Sequence, residues 1–144
     1  MSFRIRLLKE EDLEKGFLET LTYLTKVGEI KENLVQAKTV FNQIKDNQYI
    51  FVALDDEEQV IGTASILIEQ KFIHNGSSVG HIEDVVVRKE YERQSIGKSM
   101  IEKCIQVAHE NNCYKIILDC KEHNARFYSK LGFHKEGVCF RLDL

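Results

Sequence analysis

The chain has 144 residues, 43% of them apolar and 30% charged, with a formal net charge of −3. That size and mix suit one globular domain, residues 1–144, with enough apolar surface to bury a core. The slight acidity argues against nucleic acid as the main partner. No apolar run approaches the roughly 20 residues a membrane helix requires.

Met1-Ser2-Phe3-Arg4-Ile5-Arg6 enters an alternating pattern instead of a signal-peptide apolar stretch, so the expected compartment is the cytoplasm. Phe3, Ile5 and Leu7 alternate with Arg4 and Arg6 as in a half-buried strand. Leu13, Phe17, Leu21 and Leu24 recur at helical spacing, predicting a helix over 11–24. Leu34, Ala37, Phe41 and Ile44 mark a second helix. Tyr49–Leu54 reads as a strand, and Asp55-Asp56-Glu57-Glu58 as a polar turn into another, Val60–Glu69. The next strand covers Gly80–Val87. Residues 96–110 form a helix with Ile96, Met100, Ile101, Cys104, Ile105 and Ala108 on one face. An apolar strand follows at Cys113–Asp119, then a short helix over Asn124–Leu131 that stops at Gly132. Phe133–Leu142 closes as a last strand. This order implies an α/β sheet of mixed direction, with an antiparallel hairpin over 50–69 and a crossover over 81–119. With no proline, the turns depend on Gly, Asn and Asp.

The four cysteines form no CxxC pair and lie near no histidine cluster, which disfavours a metal site or a disulfide scaffold. Cys104, Cys113 and Cys120 read as packing thiols.

The richest segment is His81-Ile82-Glu83-Asp84-Val85-Val86-Val87, followed by Ser95-Ile96-Gly97-Lys98-Ser99. A strand feeding a helix through a small-residue loop makes an anion site, because free backbone N–H groups and the helix dipole both favour negative charge. Two carboxylates at the strand end add proton chemistry beside it. Together they suggest group transfer from a phosphorylated carrier.

These segments resemble the GNAT superfamily of N-acetyltransferases, and within it the glucosamine-6-phosphate N-acetyltransferases, over nearly the whole chain. The likeness rests on Leu24-Thr25-Lys26-Val27-Gly28, Glu69-Gln70-Lys71-Phe72-Ile73-His74, Gly80 to Val87, Cys113 to Cys120, and Asn124-Ala125-Arg126-Phe127-Tyr128. It implies the GNAT acyl-CoA N-acyltransferase fold, a twisted mixed sheet flanked by helices. It also implies acetyl-CoA as co-substrate without a metal, and direct attack by the amine of glucosamine 6-phosphate in a ternary complex. A homodimer with a shared substrate site is the implied assembly.

The family's pyrophosphate loop reads Gln/Arg-x-x-Gly-x-Gly/Ala, and here the frame is Glu92-Arg93-Gln94-Ser95-Ile96-Gly97. Ser95 replaces a glycine and Glu92 a Gln or Arg, with Arg93, Gln94 and Lys98 near enough in sequence to compensate. By the same resemblance, Glu83 and Asp84 contact substrate and manage the amine proton. Strand alternation sends their side chains to opposite faces. A bulge frees the Val85, Val86 and Val87 backbone for the thioester carbonyl and the pantetheine arm. Tyr128 serves the leaving thiolate and Asn124 contacts the coenzyme, though alone it would read as a helix cap. Thr25, Lys71, His74 and Asp119 match amino-sugar-phosphate positions. The frame puts Asp143 where the family has a basic C-terminal residue, so Arg141, two residues earlier, is expected to take over. Two other readings stay open: acetylation of another small amine or a peptide, and an acyl-CoA-binding module without turnover.

Overall fold

The computed structural model describes residues 2–144. Five strands form one sheet in the order β1-β2-β3-β4-β5: β1 (Arg4–Leu7), β2 (Gln48–Leu54), β3 (Val60–Gln70), β4 (Ser78–Val87) and β5 (Cys113–Ile117). The first four pair antiparallel and β5 runs parallel to β4. Helices α1 (Phe17–Leu21) and α2 (Leu34–Gln43) precede β2. A single turn, α3 (Ile73–Gly76), joins β3 to β4, α4 (Ile96–Glu110) makes the crossover to β5, and α5 (Ala125–Lys130) follows.

Alternation along β2 divides the core. Phe51 and Ala53 join Ile66, Ile68 and Ile82 beneath Met100, Ile101 and Cys104 of α4. Val52 and Leu54 pack on the other face against Leu13, Phe17, Leu18 and Ala37. A fully buried Asp12 pins β1 to the 3-10 turn Glu10–Glu14, accepting two hydrogen bonds from Arg6 at 2.7 and 2.8 Å and one from the Lys9 N–H at 2.8 Å.

Three expectations are corrected. The helix over 11–24 is instead a 3-10 turn and the short α1, broken at Gly16, whose φ is +91°. Arg88, at the end of β4, donates to the Gly16 carbonyl at 2.9 Å and to Thr20 Oγ1 at 2.9 Å. A Cβ on Gly16 would lie 2.7 Å from the end of the Arg88 side chain, which could shift, so it is the left-handed backbone that calls for glycine. The last strand, Phe133–Leu142, is absent: residues beyond Phe133 belong to no strand, and Val138, Phe140 and Leu142 stand exposed. Alternation supplies one apolar face, but a strand also needs an edge to bond, and the tail takes none among the described residues. Cysteine packing is likewise only partly right. Cys104 is buried, which pushes its thiol up to about 12, Cys113 is half-buried, and Cys120 is exposed.

Candidate active site

The ladder between β4 and β5 ends at His81 opposite Ile117. Beyond it, β4 runs on to Val87 with its β5-side edge open. The β3 side of the same stretch is also irregular. Ser65 pairs with Glu83 and Thr63 with Val86, so Asp84 and Val85 together oppose Ala64. Asp84 absorbs the extra residue in left-handed backbone, φ +51°. The bulge therefore lies one residue ahead of, and overlaps, the Val85–Val87 stretch expected to carry free N–H groups.

The bulge also breaks the expected alternation of Glu83 and Asp84. Ile82, Val85 and Val87 all face the α4 side of the core, which requires one extra residue between 82 and 85. Glu83 and Asp84 are both exposed. Partial burial pushes the Glu83 carboxyl up, Asp119 and then Asp84 push it further, and His81 pulls it down. Glu83, Asp84, Asp119 and His81 thus share one electrostatic neighbourhood.

Tyr128 comes from α5 and is only 9% exposed. It meets Phe127 edge-on at 4.9 Å and Phe133 edge-on at 5.9 Å. Burial first, then Cys120 and Cys104, push its phenol up to about 12. No buried side-chain nitrogen or oxygen among the described residues lacks a partner. The Tyr128 hydroxyl, which bonds none of its neighbours, therefore opens onto solvent.

The loop before α4 is built from left-handed residues. Arg93 has φ +67° and Ser95, the N-cap, φ +63°, with no side-chain cap on the helix. Ser95 thus occupies backbone that glycine would adopt without strain. The first-turn N–H groups of α4 stay available, while Gln94 and Lys98 lie exposed beside them and Ile96 is buried. A Cβ on Gly97 would touch Phe127 at 3.4 Å and Val87 at 3.8 Å, which brings α4, α5 and the open β4 edge together. Asn124 is exposed at the start of α5 and makes no capping bond. Its cap reading therefore fails.

The other expected substrate residues are spread out. Thr25 lines a cleft of about 280 Å³ with Lys26 and Lys31. Lys71 Nζ lies 3.0 Å from Glu69 Oε2, and His81 Nε2 lies 2.9 Å from Glu69 Oε1. Lys71 is thereby linked to the Glu83 neighbourhood. His74 stacks on Tyr114, ring centroids 3.9 Å apart. Arg141 pairs with Asp143 at 2.6 Å on the exposed tail, remote from the β4 edge along the chain. Sequence reasoning missed His81 and Glu69. The two-residue spacing of His81 and Glu83 was the available signal, since it sets both on one face of a strand.

Residues 11–133 match the acetyltransferase (GNAT) family. A glucosamine 6-phosphate N-acetyltransferase of Dictyostelium discoideum is 39% identical over 92% of this chain and 85% of its own length. The Candida albicans protein of that name is 36% identical over 94% of this chain and 92% of its own. The crystal structure of glucosamine-6-phosphate N-acetyltransferase from Arabidopsis thaliana, 32% identical, superposes with a TM-score of 0.90 over 99% of both chains. With its sheet split after His81 and its bulge at Asp84, the chain belongs to the GNAT family of acetyltransferases, on the glucosamine-6-phosphate N-acetyltransferase branch.

Proposed function

We propose that this chain transfers acetyl from acetyl-CoA to the amine of D-glucosamine 6-phosphate, giving N-acetyl-D-glucosamine 6-phosphate and CoA. The observation that carries the reading is the open, bulged β4 edge, with Glu83 at one end and Tyr128 nearby through the α4–α5 contact. The residues fit the co-substrate. Unpaired strand N–H groups suit the amides of a pantetheine arm, and the uncapped α4 N-terminus after Arg93, Gln94 and Ser95, beside Lys98, suits a pyrophosphate.

Bound acetyl-CoA supplies an acetyl thioester: the amine nitrogen bonds its carbonyl carbon, the C–S bond breaks, and the thiolate leaves. Glu83 accepts the amine proton, directly or through water; a carboxyl pushed up by burial and by Asp119 is a better base than an ordinary exposed one. Asp84 and Asp119 orient the amine and sugar hydroxyls. N–H groups of Val85 to Val87 hold the thioester carbonyl as negative charge develops on it. Tyr128 steadies the thiolate by hydrogen bonding. A phenol near 12 facing a thiol of about 8.5 would lose roughly 4–5 kcal/mol by giving its proton away, so it keeps it. Thr25, Lys71, His74 and Arg141 are the proposed contacts to the sugar phosphate, and Asn124 to the coenzyme.

The proposed assembly is a homodimer. Its support is the exposed alternation of Val138, Phe140 and Leu142, a strand face in want of a neighbour. The proposed setting is the cytoplasm, where the four free thiols remain reduced.

CoA release is the test, with glucosamine 6-phosphate, glucosamine, glucose 6-phosphate and a peptide amine as acceptors. Release with glucosamine 6-phosphate alone is expected. Preference for the peptide would move the acceptor, and acetyl-CoA binding without release would leave a non-catalytic module.

A further inference from the structure

We propose that His81, held by Glu69 and Lys71, is a positioning residue that tunes the proton-accepting carboxylate of Glu83. This rests on the assignment of Glu83 as the group that takes the amine proton.

Register places these groups on one side of the sheet. Glu69 lies opposite Val79, while His81 lies opposite both Leu67 and Ile117. Glu83, two residues past His81 and before the bulge, shares its side. Lys71 Nζ, Glu69 and His81 Nε2 form a continuous chain of contacts at 3.0 and 2.9 Å. One carboxylate thus holds a lysine with one oxygen and the imidazole with the other, which fixes the ring on the Glu83 side of the sheet. From β5, Ile117 brings no charge, and Lys115 turns its ammonium over the Tyr114 ring, 5.5 Å from the centroid.

Around Glu83 the charges are unequal. Asp119 and Asp84 raise its carboxyl, and His81 alone opposes them. Between two acids, and without the opposing pull of His81, the carboxylate is protonated at a higher pH, and only below that pH does it fail to accept the amine proton. Lys71 and Glu69 therefore reach the chemistry through His81, without touching the reacting atoms.

The experiment is the pH profile of kcat/KM for glucosamine 6-phosphate in His81→Gln, His81→Lys, Glu69→Gln and Glu83→Gln. Ionisations of the substrate are common to all and cancel in the comparison. His81→Gln is expected to move the acid limb up by about half a unit or more. His81→Lys, which restores a cation, returns the limb to or below the wild-type position. Glu69→Gln alters only an exposed side chain, so it tests the idea even where His81→Gln fails to fold, and it moves the limb the same way by less. An unmoved limb in His81→Gln, or a lysine variant that behaves like the glutamine one, overturns the role of His81. A Glu83→Gln enzyme with wild-type rate and limb overturns the assignment of Glu83 itself.

Discussion

Tyr128→Phe separates chemistry from architecture. The ring is clamped edge-on by Phe127 and Phe133, and phenylalanine keeps both contacts. The hydroxyl has no partner within the chain, so its removal leaves nothing unsatisfied, and stability should move by less than about 0.5 kcal/mol. In the role proposed for Tyr128, catalysis loses one hydrogen bond to a developing thiolate. Bonds to charged groups contribute about 1.5–3 kcal/mol, which predicts a fall in kcat of about 10- to 150-fold with little change in the KM for acetyl-CoA. Because burial pushes the phenol up to about 12, it stays protonated throughout the working range. The ratio of wild-type to variant rate should then be flat between about pH 6 and 9. Steady-state CoA release across pH, with urea melts of both proteins, measures all of this. A variant with unchanged kcat, or a rate ratio that collapses towards alkaline pH, would refute the hydrogen-bonding role.

Asp12→Ala strands the Arg6 guanidinium without its buried counterion and should cost about 3–5 kcal/mol in urea unfolding. Burial alone would raise the Asp12 carboxyl, but the Arg6 and Lys9 hydrogen bonds outweigh it and hold it below its ordinary value. Its contribution is therefore present above about pH 4 and fades as the pH falls through the lowered folded value, so wild type and variant should converge in acid. Unequal stability persisting at the lowest foldable pH would contradict this. Ser95→Gly relieves a left-handed residue worth about 1–2 kcal/mol and gives back about 0.4–1 in unfolded-chain entropy. Chemical melts should show the variant equal or slightly more stable, and a loss above about 1 kcal/mol would mean that the serine side chain has a bonding role.

Strand positions were legible because alternation and apolar runs are local: β2, β3, β4 and α4 lie within two residues of their expected limits. The 11–24 helix failed because Gly16 turns left-handed and the Lys15 carbonyl, instead of continuing a helix, accepts from the Val60 N–H at 2.8 Å, a contact more than forty residues away in sequence. The final strand failed because pairing depends on where the segment is led in space, which periodicity does not reveal: β5 is an edge strand, yet the tail does not pair with it among the described residues. At the site, the acid pair of β4 and the serine standing at a glycine position were readable from the motif, and the structure sets that serine in left-handed backbone. The Lys71–Glu69–His81 chain was not, since it depends on register between strands that one sequence does not display. Nor was the step at Asp84, where one inserted residue reassigns every later side chain of the strand.

The open edge of β4 also bears on self-association. Residues 82–87 offer a row of unused backbone groups, and such a row accepts a foreign β-segment as readily as a ligand. The same molecule exposes Val138, Phe140, Leu142 and Leu144, alternating along its tail. Ligand-free protein at high concentration thus carries both halves of a runaway pairing reaction. A small molecule seated along the edge would cap it and stabilise the fold by mass action. The co-substrate would then act as a shield against aggregation, and turbidity on storage should fall as its concentration rises.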